Sequence, residues 1–419
     1  LSFVIPTYDW WASPFYGIGM KIYDMMAGKL GLGKSEIISK EETEKLIPNI
    51  SNKGLRGGVI YHDGQFDDSR MAITLALSAD SKKTTLLNYC NVEGLIKKDG
   101  EIMGLNFTDL INSKKYQIKS KVVINATGVF AEEIIRMDQP KIEKMIQPSQ
   151  GVHIVLERRF LKSKHAILIP QTSDGRVLFA VPWKNYVVVG TTDTHVKKAS
   201  EEPKALNEEI DFILKNAAKY MSVKPKRDDI KSVFAGLRPL AATSNKQSTK
   251  EVSRSHKIDI SPSGLISVLG GKWTTYRKIA EDALNTAISI NKLKKKKCKT
   301  ERTKLFGFKR NVSWSDPMHV YGSMKKKVES LGGVNDNKSL SKKFYVSNNI
   351  IEWSIIHEMA LTVEDILARR TRCIFLDSKE SKRIAPVVAQ KMADVLGEDD
   401  KWIDAELKKF NKLIKNYIV

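Results

Sequence analysis

Leu269-Gly270-Gly271-Lys272-Trp273-Thr274-Thr275-Tyr276-Arg277 ends the apolar run GLISVLGG (264–271). It opens a helical stretch, TTYRKIAEDALNTAISI, at about Thr274. Two glycines at a strand end, followed by a helix start, expose backbone N–H groups and a positive dipole end to an anion. An ordinary glycine turn with a threonine cap has the same local pattern. Upstream, Val122-Val123-Ile124-Asn125-Ala126-Thr127-Gly128 is a second β-branched run ending in small residues. Such an end lets backbone pass close to a bulky ligand at the carboxyl edge of a parallel sheet. A tight turn after a core strand is the plain alternative there.

Outward from these two strand ends, the pattern is mixed. A helix is expected from Phe15, with Ser13 as cap and Pro14 at its first position, and another over MAITLALSA (71–79). A short strand, TLLNYCNV (85–92), precedes a hairpin turning at Asp99-Gly100, and SKVVINATG (120–128) is expected as a strand. The middle is β-rich: VHIVLE (152–157), AILIP (166–170), RVLFAVPW (176–183) and YVVVGTTD (186–193). A helix over 204–221, the run SVFAGLRPL (232–240) and a loop around SNKQSTKE follow. Residues 313–419 show no clear strands and end in a basic amphipathic helix. The expected class is α/β with an α+β cap. Cap segments span about 1–61 and 150–235, and nucleotide-binding layer segments about 62–149 and 236–291. A basic linker (292–312) and an all-α carboxyl-terminal domain (313–419) complete the chain.

The 419 residues, 42% hydrophobic and 28% charged, exclude a disordered chain and suffice for two or three domains. No apolar run nears the roughly 18 residues of a membrane-crossing helix. The start, LSFVIPTYDWW, lacks Met, a basic region and a cleavage site, and reads as mid-protein sequence, so a fragment is expected. Cys90, Cys298 and Cys373 form no CxxC pair and the histidines no ligand spacing, so neither a metal nor a disulfide framework is expected. The net charge of +22 admits nucleic acid, an anionic membrane or an anionic substrate as partner. The Lys run at 292–299 contains no aromatic residue, which argues against nucleic acid.

Three further residues carry chemistry. Arg238, in Ala-Gly-Leu-Arg-Pro-Leu, sits before a φ-locking proline that aims its guanidinium. Arg254, in Val-Ser-Arg-Ser-His, precedes the strand Lys257-Ile258-Asp259-Ile260. Two arginines near one glycine-rich turn suit bidentate phosphate binding, and each also reads as a surface charge. His153 opens a cap strand as a candidate base, or as a packed strand residue.

Taken together, DGQFDDSR (63–70), LLNYCNV, VVINATGVFAEEI, GVHIV, VGTTDT, AGLRPL, SR before KIDI, LGGKWTTYRKIAEDAL and LTVEDILARRTRCIFLD resemble the FAD-dependent glycerol-3-phosphate dehydrogenases. These belong to the glycine-oxidase and D-amino-acid-oxidase-like flavoproteins, and the likeness covers nearly the whole chain. It implies FAD as cofactor and oxidation of sn-glycerol 3-phosphate to dihydroxyacetone phosphate by hydride transfer to flavin N5. Arg238 and Arg254 match the arginines on the substrate phosphate, His153 the histidine beside the substrate hydroxyls, and Lys272 the lysine near flavin and substrate. Ala126, Thr127, Gly128, Gly270, Gly271, Thr274 and Thr275 match flavin-contacting positions, and Val92 the strand beside the adenine. His153 is the candidate base, and Arg238 the group that orients the hydroxyl and stabilises the developing alkoxide.

The resemblance departs at the front, where the family's first βαβ unit with GxGxxG has no counterpart. The expected layer is therefore Rossmann-like without that unit. A membrane quinone is the implied acceptor, with an oxygen-reducing oxidase and a flavin-less inactive fragment as the alternatives. The expected location is cytoplasmic and peripheral, on the inner face of the cell membrane, held to its anionic surface in part by the aromatic stretch Trp10, Trp11, Phe15, Tyr16 and Lys21. Such a stretch is more often cap-domain core. A homodimer is among the assemblies this allows.

Overall fold

The computed structural model describes residues 1–82, 84–242 and 256–419, so the SNKQSTKE loop and Arg254 lie outside the described residues. Strand β1 (Ser2–Thr7) leads into helix α1 (Ala12–Ala27). The helix starts at Ala12 rather than Phe15: Ser13 does not cap it, and its hydroxyl instead lies 2.7 Å from that of Thr7. α1 buries Ala12 and Gly17 while Phe15, Ile18, Ile22, Met25 and Met26 face outward. Next come β2 (Glu36–Ser39), α2 (Lys40–Leu46) with a Ser39–Glu42 capping box, and β3 (Gly57–His62). α3 (Asp68–Asp80) outruns the apolar stretch 71–79 because Asp67 caps it, accepting from Arg70 N at 3.1 Å.

Strands β4 (Cys90–Lys98) and β5 (Glu101–Asp109) form the expected hairpin, with φ of 51° and 84° at Asp99 and Gly100 as a type I′ turn requires. The strand expected over 85–92 begins only at Cys90, because Tyr89 at φ 53° breaks the extended run. β6 (Lys115–Lys119) completes a three-stranded sheet. β7 is confined to Ile124–Asn125, since its parallel ladder reaches only Ile266 and Ser267. Then follow α4 (Ala131–Asp138), β8 (Ile146–Glu157), β9 (Ala166–Ile169), β10 (Leu178–Trp183), β11 (Tyr186–Gly190) and β12 (Thr194–His195). α5 (Asn207–Tyr220), β13 (Ser232–Ala241), β14 (His256–Ile260) and β15 (Ile266–Gly270) precede a 3₁₀ turn, Trp273–Thr275. That turn delays α6 (Tyr276–Ile290), which begins at Tyr276 rather than Thr274.

After Gly270 the described residues contain no strand. α7 (Lys325–Glu329), α8 (Asn348–Glu358), α9 (Cys373–Leu376), α10 (Ser378–Leu396) and α11 (Asp400–Leu413) form the helical region. Within LTVEDILARRTR, Asp365–Arg370 winds as a π-helix.

The largest sheet has nine strands in the order β12-β8-β11-β10-β9-β1-β3-β2, with β13 on the other edge of β8. Side chains alternate along β8. Val152, Ile154 and Leu156 join Ile210 and Ile213 of α5 in one core. On the opposite face Val155, with Val188 and Phe234 from its neighbours, packs against Ile374, Phe375 and Leu376 of the helical region. Ser149, Gly151 and His153 share that second face, just beyond the part the helices cover. A separate sheet, β14-β15-β7, is packed by α4 and α6 and ends at the two glycine-bearing turns.

Candidate active site

β8 and β13 pair antiparallel, with Phe234 opposite His153, Gly236 opposite Gly151 and Arg238 opposite Ser149. His153 therefore lies in mid-strand, not at the strand's start, because β8 begins at Ile146. Arg238 lies over Gly151: a Cβ there would stand 2.5 Å from its Nη2 and 2.7 Å from Thr191 Oγ1. Gly190 of β11 faces His153, and a Cβ at that position would collide with the imidazole. Two strand-interior glycines thus make room for the two side chains that crown the sheet.

The His153 ring stacks on Phe234 at 5.2 Å between centroids, and Phe234 meets Phe375 edge-on at 5.0 Å. Burial, and then the Arg238 cation, push the imidazole pKa down to about 4, against a smaller opposing pull from Asp68. His153 is neutral at pH 7 and able to accept a proton. Arg238 donates to Thr192 O (3.2 Å) and Thr191 Oγ1 (3.3 Å), with Asp193 at 3.6 Å. Behind this turn, buried Glu209 accepts from Thr192 Oγ1 (2.8 Å), Thr194 Oγ1 (2.6 Å) and Gln150 Nε2 (2.7 Å). The α5 carboxylate thereby fixes the turn that aims the guanidinium.

His153, Gly190, Thr191 and Phe234 border a cavity of about 620 Å³, closed by Lys272, Trp273 and Thr274 on one side and by Asp67, Asp68, Trp183 and Arg372 on another. A second, apolar groove of about 540 Å³ runs past Ile124, Ala126, Gly128, Val268, Gly270 and Gly271 to Ile279 and Ala283 of α6. Lys272 and Trp273 border both spaces. The stretch that decides the fold therefore stands where the two meet.

Gly128, Gly270 and Gly271 hold φ of 61°, 70° and 91°, which favours glycine at each position. Asn125, buried at the end of β7, ties these turns together. Its amide donates to Ala131 O (3.0 Å) and Ser267 Oγ (3.2 Å), and its Oδ1 accepts from Thr127 Oγ1 at 2.7 Å. The Thr275 hydroxyl donates to Lys272 O at 3.0 Å rather than capping α6.

Of the residues singled out in the sequence, His153, Lys272 and Thr274 gather at the first space, with Arg238 bonded to its wall at Thr191. Ala126, Gly128, Gly270 and Gly271 line the second. Thr127 and Thr275 adjoin these turns. Val92, opposite Phe107 in the β4–β5 hairpin, borders neither space. Sequence reading missed Gly151, Gly190, Asn125, Glu209 and Arg372. A glycine inside an otherwise regular strand pattern was the available signal for the first two.

Residues 16–277 match the family described as FAD dependent oxidoreductase (DAO), and residues 266–403 match the C-terminal domain of alpha-glycerophosphate oxidase. The mitochondrial glycerol-3-phosphate dehydrogenase of Bos taurus is 33% identical over 446 residues, covering 99% of this chain and 61% of that protein. This chain thus spans about three fifths of that relative's length. Its namesake in Schizosaccharomyces pombe is 34% identical over 482 residues, covering 100% of this chain and 73% of that one. Among solved structures, the FAD-complexed glycerol-3-phosphate dehydrogenase from Bacillus halodurans superposes with a TM-score of 0.81 at 23% identity, covering 100% of this chain and 82% of that one. That likeness is one of fold.

Proposed function

The chain belongs to the DAO family of FAD-dependent oxidoreductases, and from that footing we propose that it oxidises sn-glycerol 3-phosphate to dihydroxyacetone phosphate with FAD. One observation carries the reading: a neutral His153 borders a cavity to whose wall Arg238 is bonded at Thr191, and that cavity meets an apolar, glycine-ended groove at Lys272.

The groove fits a flavin. Its wall is hydrocarbon from Ile124, Val268 and Ile279, and a Cβ at Gly128 would meet nothing within 4 Å, so the backbone there is open to a flat ligand. We assign Ala126, Thr127, Gly128, Gly270, Gly271, Lys272, Thr274 and Thr275 to holding FAD, with Val92 beside its adenine. When bound, FAD supplies the two-electron acceptor for the hydrogen that leaves C2 as hydride. His153 takes the C2 hydroxyl proton, and the carbonyl forms as the C2–H and O–H bonds break. Arg238 and Lys272 hold the anionic substrate, and Arg238 also stabilises the oxygen as its proton departs. Arg254 is the second proposed phosphate partner.

Product analysis tests this: FAD-loaded protein given a quinone analogue should form dihydroxyacetone phosphate from sn-glycerol 3-phosphate and leave glycerol almost untouched. No product, or equal turnover of both alcohols, would contradict it. Gly151→Ala should lower kcat/KM by about a hundredfold, since it displaces Arg238 by the Å-scale error that misaligns a reacting group. Its melting temperature should fall only slightly, because the clash is with the guanidinium end of Arg238 and the hydroxyl of Thr191 rather than with backbone. Unchanged kinetics would remove Arg238 from the mechanism.

Quinone is the proposed acceptor. Hydrogen peroxide formed in step with product, without added quinone, would favour the oxidase suggested by the name of the matching C-terminal domain. An anionic membrane surface is the proposed partner, with attachment peripheral. The net charge is +22, α1 presents Phe15, Ile18 and Met25 outward, and no helix among the described residues is long and apolar enough to cross a membrane. The relatives' names put theirs in mitochondria, whereas the sequence alone pointed to the inner face of a cell membrane. The protein should pellet with phosphatidylglycerol vesicles at low salt and release as salt rises. Binding indifferent to salt and lipid charge would contradict the electrostatic part.

A further inference from the structure

We propose that Arg372, from the helical region, is a positioning residue for the substrate cavity, holding and neutralising the acidic segment Asp67–Ser69 on its wall. The inference rests on the function proposed above. Arg372 opens α9 at φ 64°, and its side chain is 11% exposed. Its Nη1 donates to Ser69 Oγ at 2.6 Å, its Nη2 lies 3.1 Å from Asp68 Oδ1, and its Nε lies 3.7 Å from Asp67 Oδ1. The guanidinium carbon stands 4.2 Å from the Phe375 ring centroid and 5.6 Å from that of Trp183. Asp67, Asp68, Trp183 and Arg372 all border the cavity that His153 borders. The motifs DGQFDDSR and LARRTR, far apart in sequence, are thus two halves of one wall.

The charge arrangement gives the pair its role. A phosphate monoester must enter a space that two carboxylates face, and like charges brought together disfavour binding. Arg372 offsets them and fixes their direction. The planar fork makes the identity specific, because a lysine ammonium cannot bond Ser69, face both aspartates and lie against two rings at once. The nearby Arg70–Glu358 pair also joins DGQFDDSR to the helical region, through α8, yet neither residue borders the cavity.

The test uses FAD-loaded enzyme. Arg372→Gln should raise KM for sn-glycerol 3-phosphate about tenfold and change kcat and the weak use of glycerol far less. Adding Asp68→Asn should recover most of that KM, since it removes the carboxylate left uncompensated. Arg372→Lys should fall between. An unchanged KM overturns the inference. So does an equal loss on both alcohols that Asp68→Asn does not relieve, which would mark Arg372 as a fold residue only. Where Arg372→Gln does not fold, Asp68→Asn alone decides: KM for the phosphate ester should fall, and a constant KM overturns the proposal. A parent enzyme inactive on sn-glycerol 3-phosphate overturns the underlying reading. An active parent with an unaffected Arg372→Gln overturns this inference alone.

Discussion

His153→Asn is expected to lower turnover of sn-glycerol 3-phosphate by about a hundredfold or more, the scale of losing a general base, with a much smaller change in KM. The size follows from how the ring is held. Phe234 stacks on it, Gly190 leaves it the space, and it borders the cavity. With a pKa depressed to about 4 by burial and by Arg238, the imidazole stays unprotonated well below neutrality. The acid limb of kcat/KM should accordingly lie near pH 4 rather than near the ordinary value of about 6.5, and should vanish in the variant. The sign carries over to stability. The unfolded chain protonates this histidine at about 6.5 and the folded protein only near 4. Its contribution is therefore fully present above 6.5 and is lost as pH falls through that window. Retained turnover with an unaltered pH profile would leave Arg238 as the group acting on the hydroxyl.

Arg70→Met should give the largest loss of stability, about 3–5 kcal/mol, read as a lower urea midpoint. Arg70 and Glu358 are both buried and joined by two bonds, 2.9 Å and 2.5 Å long, with Trp353 Nε1 donating to the same carboxylate at 2.9 Å. Without Arg70 the buried Glu358 carboxylate keeps the Trp353 indole but loses both bonds to the guanidinium. Because the pair bolts α3 to α8, the helical region should loosen from the rest. Replacing both residues, Arg70→Met with Glu358→Leu, should recover much of the loss, since no charge then stays buried alone. A midpoint unmoved in the single variant would mean that the ion pair is dispensable.

Much of the fold was legible because its signals are local. The Asp99-Gly100 hairpin, the β-rich middle and the turn at Gly270-Gly271 all follow from residues within a few positions of each other. Boundaries set by distant partners were not legible. β7 shrinks to Ile124–Asn125 because only two residues of β15 pair with it, and β8 runs far ahead of His153 because β13 pairs with it from Ile146 to Val155. α1 begins at Ala12 without the serine cap, its Ser13 being engaged with Thr7. The same reason hides parts of the site. Gly151 and Gly190 matter only because side chains from neighbouring strands cross them. Glu209 matters because the 191–194 turn folds onto α5, and Arg372 because the helical region closes on Asp67 and Asp68. His153, Arg238 and Lys272 were found in the sequence through motifs, and their convergence belongs to the folded chain.

The account stands on one cavity joining substrate chemistry to a flavin, and absorbance without oxygen tests it most directly. FAD-loaded protein mixed anaerobically with sn-glycerol 3-phosphate should lose the flavin's visible band rapidly, while glycerol should leave the band in place and His153→Asn should bleach about a hundredfold more slowly. A band that persists with sn-glycerol 3-phosphate, or one that fades equally with glycerol, would contradict the account.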